Sequence, residues 1–225
     1  TTDTEVNNIS IEPIASDKEI DFILSNAENY MTRKPKRSDV KSVFAGLRPL
    51  IFKENKASKS LSRKHTVIKS KKGVFHLLGG KWTTYRKMGK DVLDLIVSNN
   101  TVKAGPSKTE DLKIYGYQNN MSWKDPLHFY GSQKTRVSSM GSNELISPIL
   151  PITEAQIIYA VTFEMAKTVE DVLARRTRCL LINAKESKKI APKVAGIMAK
   201  QLNVQENWEE EQIELFLNLA SNYHL

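Results

Sequence analysis

Apolar positions first settle into a regular pattern near the start of the chain, where Ile20, Ile23, Leu24 and Ala27 fall at helical spacing within residues 16 to 31. With Ser16 or Asp17 as a cap, the segment reads as an amphipathic surface helix. Residues 40 to 52 then mix apolar positions with Gly46, Arg48 and Pro49. From Lys64 to Lys69 the period shortens to two, with His65 and Val67 on one face and Thr66 and Ile68 on the other. A second strand follows at residues 74 to 78. The connection Lys69-Ser70-Lys71-Lys72-Gly73 is polar and holds a glycine able to take positive φ, which predicts an antiparallel hairpin with a solvated lysine turn. The apolar run Val74 to Leu78 needs burial, and His76 within it is expected to be a core histidine. It ends at Gly79-Gly80-Lys81-Trp82-Thr83-Thr84, after which Met88, Val92, Leu95 and Ile96 are spaced as a helix. That order is strand, glycine turn, helix, with Thr83 or Thr84 as the cap.

Residues 101 to 135, with Gly105-Pro106, Gly116, Asn119-Asn120, Pro126 and Gly131, hold few periodic apolar positions and read as a linker with one or two short elements. From Ile152 the pattern is helical. Thr153-Glu154-Ala155-Gln156 has the form of a capping box and opens a helix over 154–167, carried by Ile157, Ile158, Val161 and Met165. Thr168-Val169-Glu170-Asp171 opens a second, with Val172 and Leu173 inward and Arg175, Arg176 and Arg178 where cations suit the negative end of the dipole. A third is marked by Ile190, Val194, Ile197 and Met198, and a fourth by Ile213, Phe216, Leu217 and Ala220. Their Met and aromatic positions read as core. The fold class is therefore α+β, hairpin strands and helices followed by an all-helical C-terminal domain, with expected divisions at 1–100, 101–135 (linker) and 136–225.

Composition changes this picture in three places. A formal charge of +9 over 225 residues favours anionic partners such as a phosphorylated substrate, acidic lipid or nucleic acid. The run Arg33-Lys34-Pro35-Lys36-Arg37 raises the alternative of a basic module binding nucleic acid or a membrane surface. Against it, most basic residues are dispersed and no zinc or helix-turn-helix signature occurs. No stretch nears the ~18 apolar residues of a membrane span. The best candidate, residues 145 to 152, is broken by Ser147, Pro148 and Pro151. The lone cysteine, Cys179, excludes an intrachain disulfide and a multi-cysteine zinc site, and reads as a small buried hydrophobe. A start at Thr1-Thr2-Asp3-Thr4, without an initiator Met, leads to the expectation of a piece of a longer chain.

The glycine turn is where chemistry is most legible. Two glycines let a ligand approach the backbone, and the free N–H groups and positive dipole end of the following helix favour negative charge there.

Three segments in order carry a family resemblance: Ala45-Gly46-Leu47-Arg48-Pro49-Leu50, Ser62-Arg63-Lys64-His65, and Gly79-Gly80-Lys81-Trp82-Thr83-Thr84-Tyr85-Arg86. Ile152 to Gln156 and Val169 to Arg178 continue it. Together they resemble the FAD-dependent, quinone-linked glycerol-3-phosphate dehydrogenases. The resemblance implies the later part of an FAD- and substrate-binding region followed by the helical C-terminal domain. The fingerprint G-x-G-x-x-G is not among these residues and is expected earlier in the intact protein. Hence FAD is not expected to be bound by this chain alone, which should be inactive.

The activity implied is oxidation of sn-glycerol 3-phosphate to dihydroxyacetone phosphate, with electrons passing through FAD to a quinone. The same resemblance places Arg48 and Arg63 at the substrate phosphate, where guanidinium groups bind two oxygens at once. It makes Lys81 the catalytic cation, and Gly79, Gly80, Trp82, Thr83 and Thr84 the flavin-binding turn, its N–H groups facing the pyrimidine oxygen. Lys64 stands where the family commonly has an acidic residue. His65, His76, His128 and His224 are the only imidazoles, and none is assigned as the catalytic base. No metal site and no nucleic-acid partner are expected. The remaining expectations are peripheral inner-membrane association on the cytoplasmic side and a dimerising or interacting helical domain, giving a homodimer. Mitochondrial members carry calcium-binding EF-hands after the helical domain; none occurs here, which favours a bacterial source.

Overall fold

The computed structural model describes residues 2–48, 64–99 and 102–225. They form two compact units. One is helical and gathers Ser10–Gly46 with Gly116–Leu225; the other gathers Asp3–Ile9 with the described part of Leu47–Tyr115.

In the helical unit, α1 (Asp17–Glu28) starts from Ser16, whose side chain and that of Glu19 cap each other's backbone N–H groups. Only Ile20 of its stripe is buried, at 7% exposure. The basic run beyond it is largely engaged. Arg37 pairs with Asp17 at 2.7 Å and Asp21 at 2.8 Å, Arg33 with Asp39 at 2.7 Å, and Lys34 with Glu28 at 3.1 Å. Arg37 and Lys34 thus pair with carboxylates at the two ends of α1.

Residues 40–46 then run extended against the later helices. The Ser42 hydroxyl donates to the Leu180 carbonyl at 2.7 Å and accepts from the Ala184 N–H at 2.8 Å, while the Val43 N–H reaches the Tyr223 carbonyl at 2.8 Å. Those bonds explain why residues 10–46 group with a unit far along the sequence, a division unlike the one expected from composition.

The main core is built by α4 (Glu154–Phe163), α5 (Cys179–Ile182), α6 (Ala184–Leu202) and α7 (Trp208–Ala220), with a single π turn over Asp171–Arg176. Ile157, Leu173, Leu180, Val194, Met198 and Phe216 fill it and are essentially solvent-free. Cys179 lies in the same core, as expected, and burial pushes its thiol up. The capping box at the start of α4 is present: the Thr153 hydroxyl accepts from the Gln156 N–H at 3.3 Å, and the Gln156 side-chain oxygen Oε1 accepts from the Thr153 N–H at 2.9 Å. Thr153→Ala should therefore lower stability by about 1 kcal/mol in urea titration.

Two departures from the expected helices follow. The first helix stops at Phe163, not at 167, because Met165 takes a left-handed φ of 56° and the Ala166 N–H turns back to the Ala160 carbonyl. The second opens as expected at Thr168, where the Asp171 carboxylate accepts from the Lys167 and Thr168 N–H groups at 2.9 and 3.1 Å. It then widens into the π turn and breaks at Arg178, φ 59°. Its arginines serve individual partners: Arg175 bonds Glu170 and Asp171, and Arg176 bonds the Glu164 carbonyl.

Burial pushes the Asp171 carboxyl up, but the Lys167 N–H, the Thr168 hydroxyl and N–H, and Arg175 outweigh it and hold it below its ordinary value. A carboxyl lowered on folding contributes stability above its unfolded pKa and loses it as pH falls through the folded one. Acidification below about pH 4 should thus cost the wild type more stability than Asp171→Asn, which urea midpoints between pH 3 and 6 will show.

Residues 116–133 hold short elements, as expected, and pack into the helical unit. Leu127 and Tyr130 are buried at 8% exposure each, in a second small core with Val137 of α3 (Lys134–Ser138) and Tyr159 of α4. Tyr130 and Tyr159 meet edge to face at 5.4 Å, and the Ser132 N–H bonds the Gly116 carbonyl at 3.0 Å. Two short 3₁₀ turns within His128–Gln133, separated by the non-helical Gly131, carry Phe129 and Tyr130 and leave no helical period in the sequence.

In the second unit, β1 (Thr66–Lys69) and β2 (Phe75–Leu78) pair antiparallel with Thr66 opposite Leu78 and Lys69 opposite Phe75. Gly73 at φ 83° closes the turn, as expected. α2 (Tyr85–Ser98) follows and touches both strands. Register puts Val67, Phe75 and Leu77 on one face and Thr66, Ile68, His76 and Leu78 on the other. Val74, Leu77 and Leu78 are exposed and so is His76, against the expectation of a buried run with a core histidine. One helix can cover only one face of a two-stranded sheet, which leaves Ile68, His76 and Leu78 outside; Leu77, on the other face, is exposed as well.

Candidate functional site

The turn between β2 and α2 requires both of its glycines. Gly79 and Gly80 adopt φ of 68° and 87°, a region that side chains rarely tolerate. At Gly80 a Cβ would lie 2.5 Å from Met88 Sδ and 3.2 Å from His65 Cβ, so the backbone rests directly on α2 and on the residue before β1. Lys81 then returns to extended geometry, and Trp82–Thr84 form a 3₁₀ turn leading into α2.

Thr84 does not cap α2 in the way the sequence suggests. Its hydroxyl donates to the Lys81 carbonyl at 3.0 Å and accepts from the Lys81 N–H at 3.4 Å, and its N–H bonds the same carbonyl at 3.0 Å. The result is a closed loop that fixes the Lys81 backbone while its ammonium stays in solvent. The N–H groups of Trp82 and Thr83 precede the first acceptor of the turn and bond nothing among the described residues. The Trp82 indole, 87% exposed, stacks on Tyr85 at 5.6 Å with 29° between the planes.

Beneath this turn His65 Nε2 meets Asp91 Oδ2 at 2.8 Å, and Asp91 also receives Lys87 Nζ at 2.7 and 2.8 Å. Lys87 first and His65 second hold the Asp91 carboxyl below the ordinary carboxylate range. Sequence reasoning singled out His65 but missed Asp91. Its only local signal was the i, i+4 spacing from Lys87 on a helix, a common surface pattern.

Lys81, Gly79, Gly80, Trp82, Thr83 and Thr84 thus form one continuous corner. Arg48 Nη1 lies 3.4 Å from Asp3, with its side chain partly exposed. Among the described residues, no hydrogen bond or ion pair joins Arg48 to the corner. Arg63 lies outside the described residues. No group of three or more His, Cys, Asp or Glu that could hold a metal occurs among the described residues, and no described helix is long and apolar enough to cross a membrane.

Chemically, the corner offers two N–H donors without partners among the described residues, the ammonium of an exposed lysine and an exposed, flat indole. That set suits an electron-rich oxygen on a planar ring system. The hairpin with its glycine turn and the helical unit define an α+β chain. Residues 75–213 match the family described as the C-terminal domain of alpha-glycerophosphate oxidase, and the chain belongs to that family.

Mitochondrial glycerol-3-phosphate dehydrogenase of Bos taurus is 31% identical over 246 residues, covering 95% of this chain and 33% of that protein. The Homo sapiens protein of the same name gives the same figures, 31%, 95% and 33%. A probable mitochondrial glycerol-3-phosphate dehydrogenase of Dictyostelium discoideum is 28% identical, covering 94% and 37%. The chain thus spans about a third of the length of these curated relatives. Among solved structures, the glycerol-3-phosphate dehydrogenase of Bacillus halodurans, complexed with FAD, superposes with a TM-score of 0.76 at 23% identity. It covers 98% of this chain and 48% of that one, and bears out the fold, a small sheet followed by a mostly helical C-terminal domain.

Proposed function

We propose that this chain is the later part of a flavoenzyme that oxidises sn-glycerol 3-phosphate to dihydroxyacetone phosphate, with FAD as its cofactor and a quinone as the electron acceptor. The observation that carries the proposal is the Gly79–Thr84 corner, where a lysine follows a glycine pair on a rigid, donor-bearing turn. Family membership and the names of the curated relatives support the same substrate. When bound, the flavin accepts the hydride from the secondary alcohol carbon; orientation and charge are the protein's contribution.

Lys81 holds its ammonium where negative charge develops on the substrate oxygen or at the ring edge, and the Trp82 and Thr83 N–H groups add fixed donors at the helix start. Gly79 and Gly80 keep the backbone free of Cβ atoms at the approach, and Thr84 locks the loop. Arg48 and Arg63 bind the phosphate dianion, each able to present two N–H groups to it. In this reading Asp3 is exchanged for phosphate at Arg48. The chain by itself, without the fingerprint segment, holds no FAD and turns over no substrate. Peripheral membrane association and a homodimer complete the proposal, the former supported by the excess of Lys and Arg, which draws anionic lipid.

Arg48→Ala and Arg63→Ala in the intact protein are the test of the substrate assignment. Flavin content should stay intact while the KM for glycerol 3-phosphate rises roughly tenfold to a hundredfold, the worth of a lost charge-assisted contact. An unchanged KM in both variants overturns the substrate role.

A further inference from the structure

We propose that the His65–Asp91 pair is a positioning couple that clamps the Gly79–Lys81 turn between strand and helix, so that the rate of substrate oxidation depends on it although neither side chain touches substrate. The inference rests on the reading of the turn as the flavin corner.

His65 lies immediately before β1, and the register that sets Thr66 against Leu78 brings it alongside Gly79. Its Cβ is so close to Gly80 that a side chain there would have its first carbon 3.2 Å away. The imidazole then reaches past the turn to Asp91 in the middle of α2, joining the residue before one strand to the helix that the turn leads into. Side-chain exposures of 17% for His65 and 29% for Asp91 mark this as a half-buried link rather than a surface ion pair.

The couple is directional. An ionised Asp91 selects the tautomer in which Nε2 carries the proton and donates to it. Lys87, a second charged group on the carboxylate, helps to keep Asp91 ionised, and Asp91 orients the ring through Nε2. Thr84 fixes the turn from the solvent side through Lys81. His65 fixes it from the inner side, behind Gly80. With either clamp released, the Lys81 ammonium and the adjoining N–H donors lose their placement relative to the reacting atoms. A shift of about an ångström at such a distance costs up to roughly a hundredfold in rate.

The experiment uses the intact enzyme with its flavin, as wild type, Lys81→Ala, His65→Gln, Asp91→Ala and Asp91→Asn. It reads flavin content, substrate KM, the rate of flavin reduction by glycerol 3-phosphate and, independently of turnover, the ¹⁵N shifts of the His65 ring. The expected ring state is the Nε2–H tautomer. Asp91→Ala and His65→Gln should keep flavin and KM near wild type while slowing reduction by tenfold to roughly a hundredfold. Asp91→Asn, which retains an acceptor for Nε2–H, should recover most of that rate. If Lys81→Ala slows reduction but His65→Gln and Asp91→Ala do not, the couple is overturned and the flavin corner stands. If Lys81→Ala has no effect, the corner itself fails and the couple with it. Should Asp91→Ala fail to fold, His65→Gln and the ring tautomer still decide, and an Nδ1–H ring in the wild type overturns the proposal.

Discussion

Replacing Lys81 by alanine in the intact protein should leave flavin bound and slow its reduction by glycerol 3-phosphate by roughly a hundredfold to a thousandfold, the usual effect of removing one preorganised charge-stabilising group. The size of the effect follows from how the residue is held. Its backbone is locked by three hydrogen bonds from or to Thr84, so truncating the side chain removes the ammonium without releasing the turn. The chain beyond Lys81 Cβ packs against nothing that would collapse, since the residue is exposed. Stopped-flow bleaching of the flavin is the appropriate measurement. Lys81→Arg should restore part of the rate by keeping the charge, and less than all of it because the planar guanidinium places that charge differently. Wild-type reduction in Lys81→Ala would remove the residue from the chemistry.

The second large effect is one of stability. At Gly131 the backbone takes φ 53° and ψ −125°, and a Cβ would sit 1.8 Å from the Gly116 carbonyl oxygen. Two costs add in Gly131→Ala. The backbone conformation is one that alanine adopts only under strain, and the contact can be relieved only by moving main chain, because the obstacle is itself backbone. Together they amount to about 3 to 5 kcal/mol. The Ser132 N–H bond to the same Gly116 carbonyl would be lost in the process. The second small core, formed by Leu127, Tyr130, Val137 and Tyr159, would loosen with it. A fall of this size in urea unfolding, accompanied by loss of near-ultraviolet signal from Tyr130 and Tyr159, is the expected result. Gly116→Ala should be milder, since its nearest obstacle is 3.5 Å away and only the φ of 82° opposes it.

Elements governed by local rules were legible in the sequence. The cap expected at Ser16 or Asp17, the box at Thr153 and the Gly73 turn need only residues within a few positions of one another; the first falls at Ser16 and the other two where their patterns predict. Helices α6 and α7 announce themselves through a long apolar stripe.

What escaped depends on partners far along the chain. Nothing near Met165 or Arg178 signals a left-handed backbone, because neither is glycine or asparagine; both conformations answer to the packing of the π turn. The aromatic turn at His128–Gln133 reads as linker until Tyr159, some thirty positions on, supplies the ring that buries it. The glycine corner was visible as a motif, but its lock was not. Thr84 looks like a helix cap and closes on Lys81 instead, and Asp91 looks like a surface partner of Lys87 and also holds His65. In both cases a residue type known for one local role is recruited by a neighbour that only the fold brings near.

The most direct test of the central claim is the visible spectrum of the intact protein, purified and then mixed with glycerol 3-phosphate in the absence of oxygen. The account predicts a yellow protein with the visible absorbance of an oxidised flavin, bleached by glycerol 3-phosphate, with this 225-residue chain colourless beside it. A colourless intact protein, or a yellow one that glycerol 3-phosphate leaves oxidised, would contradict it.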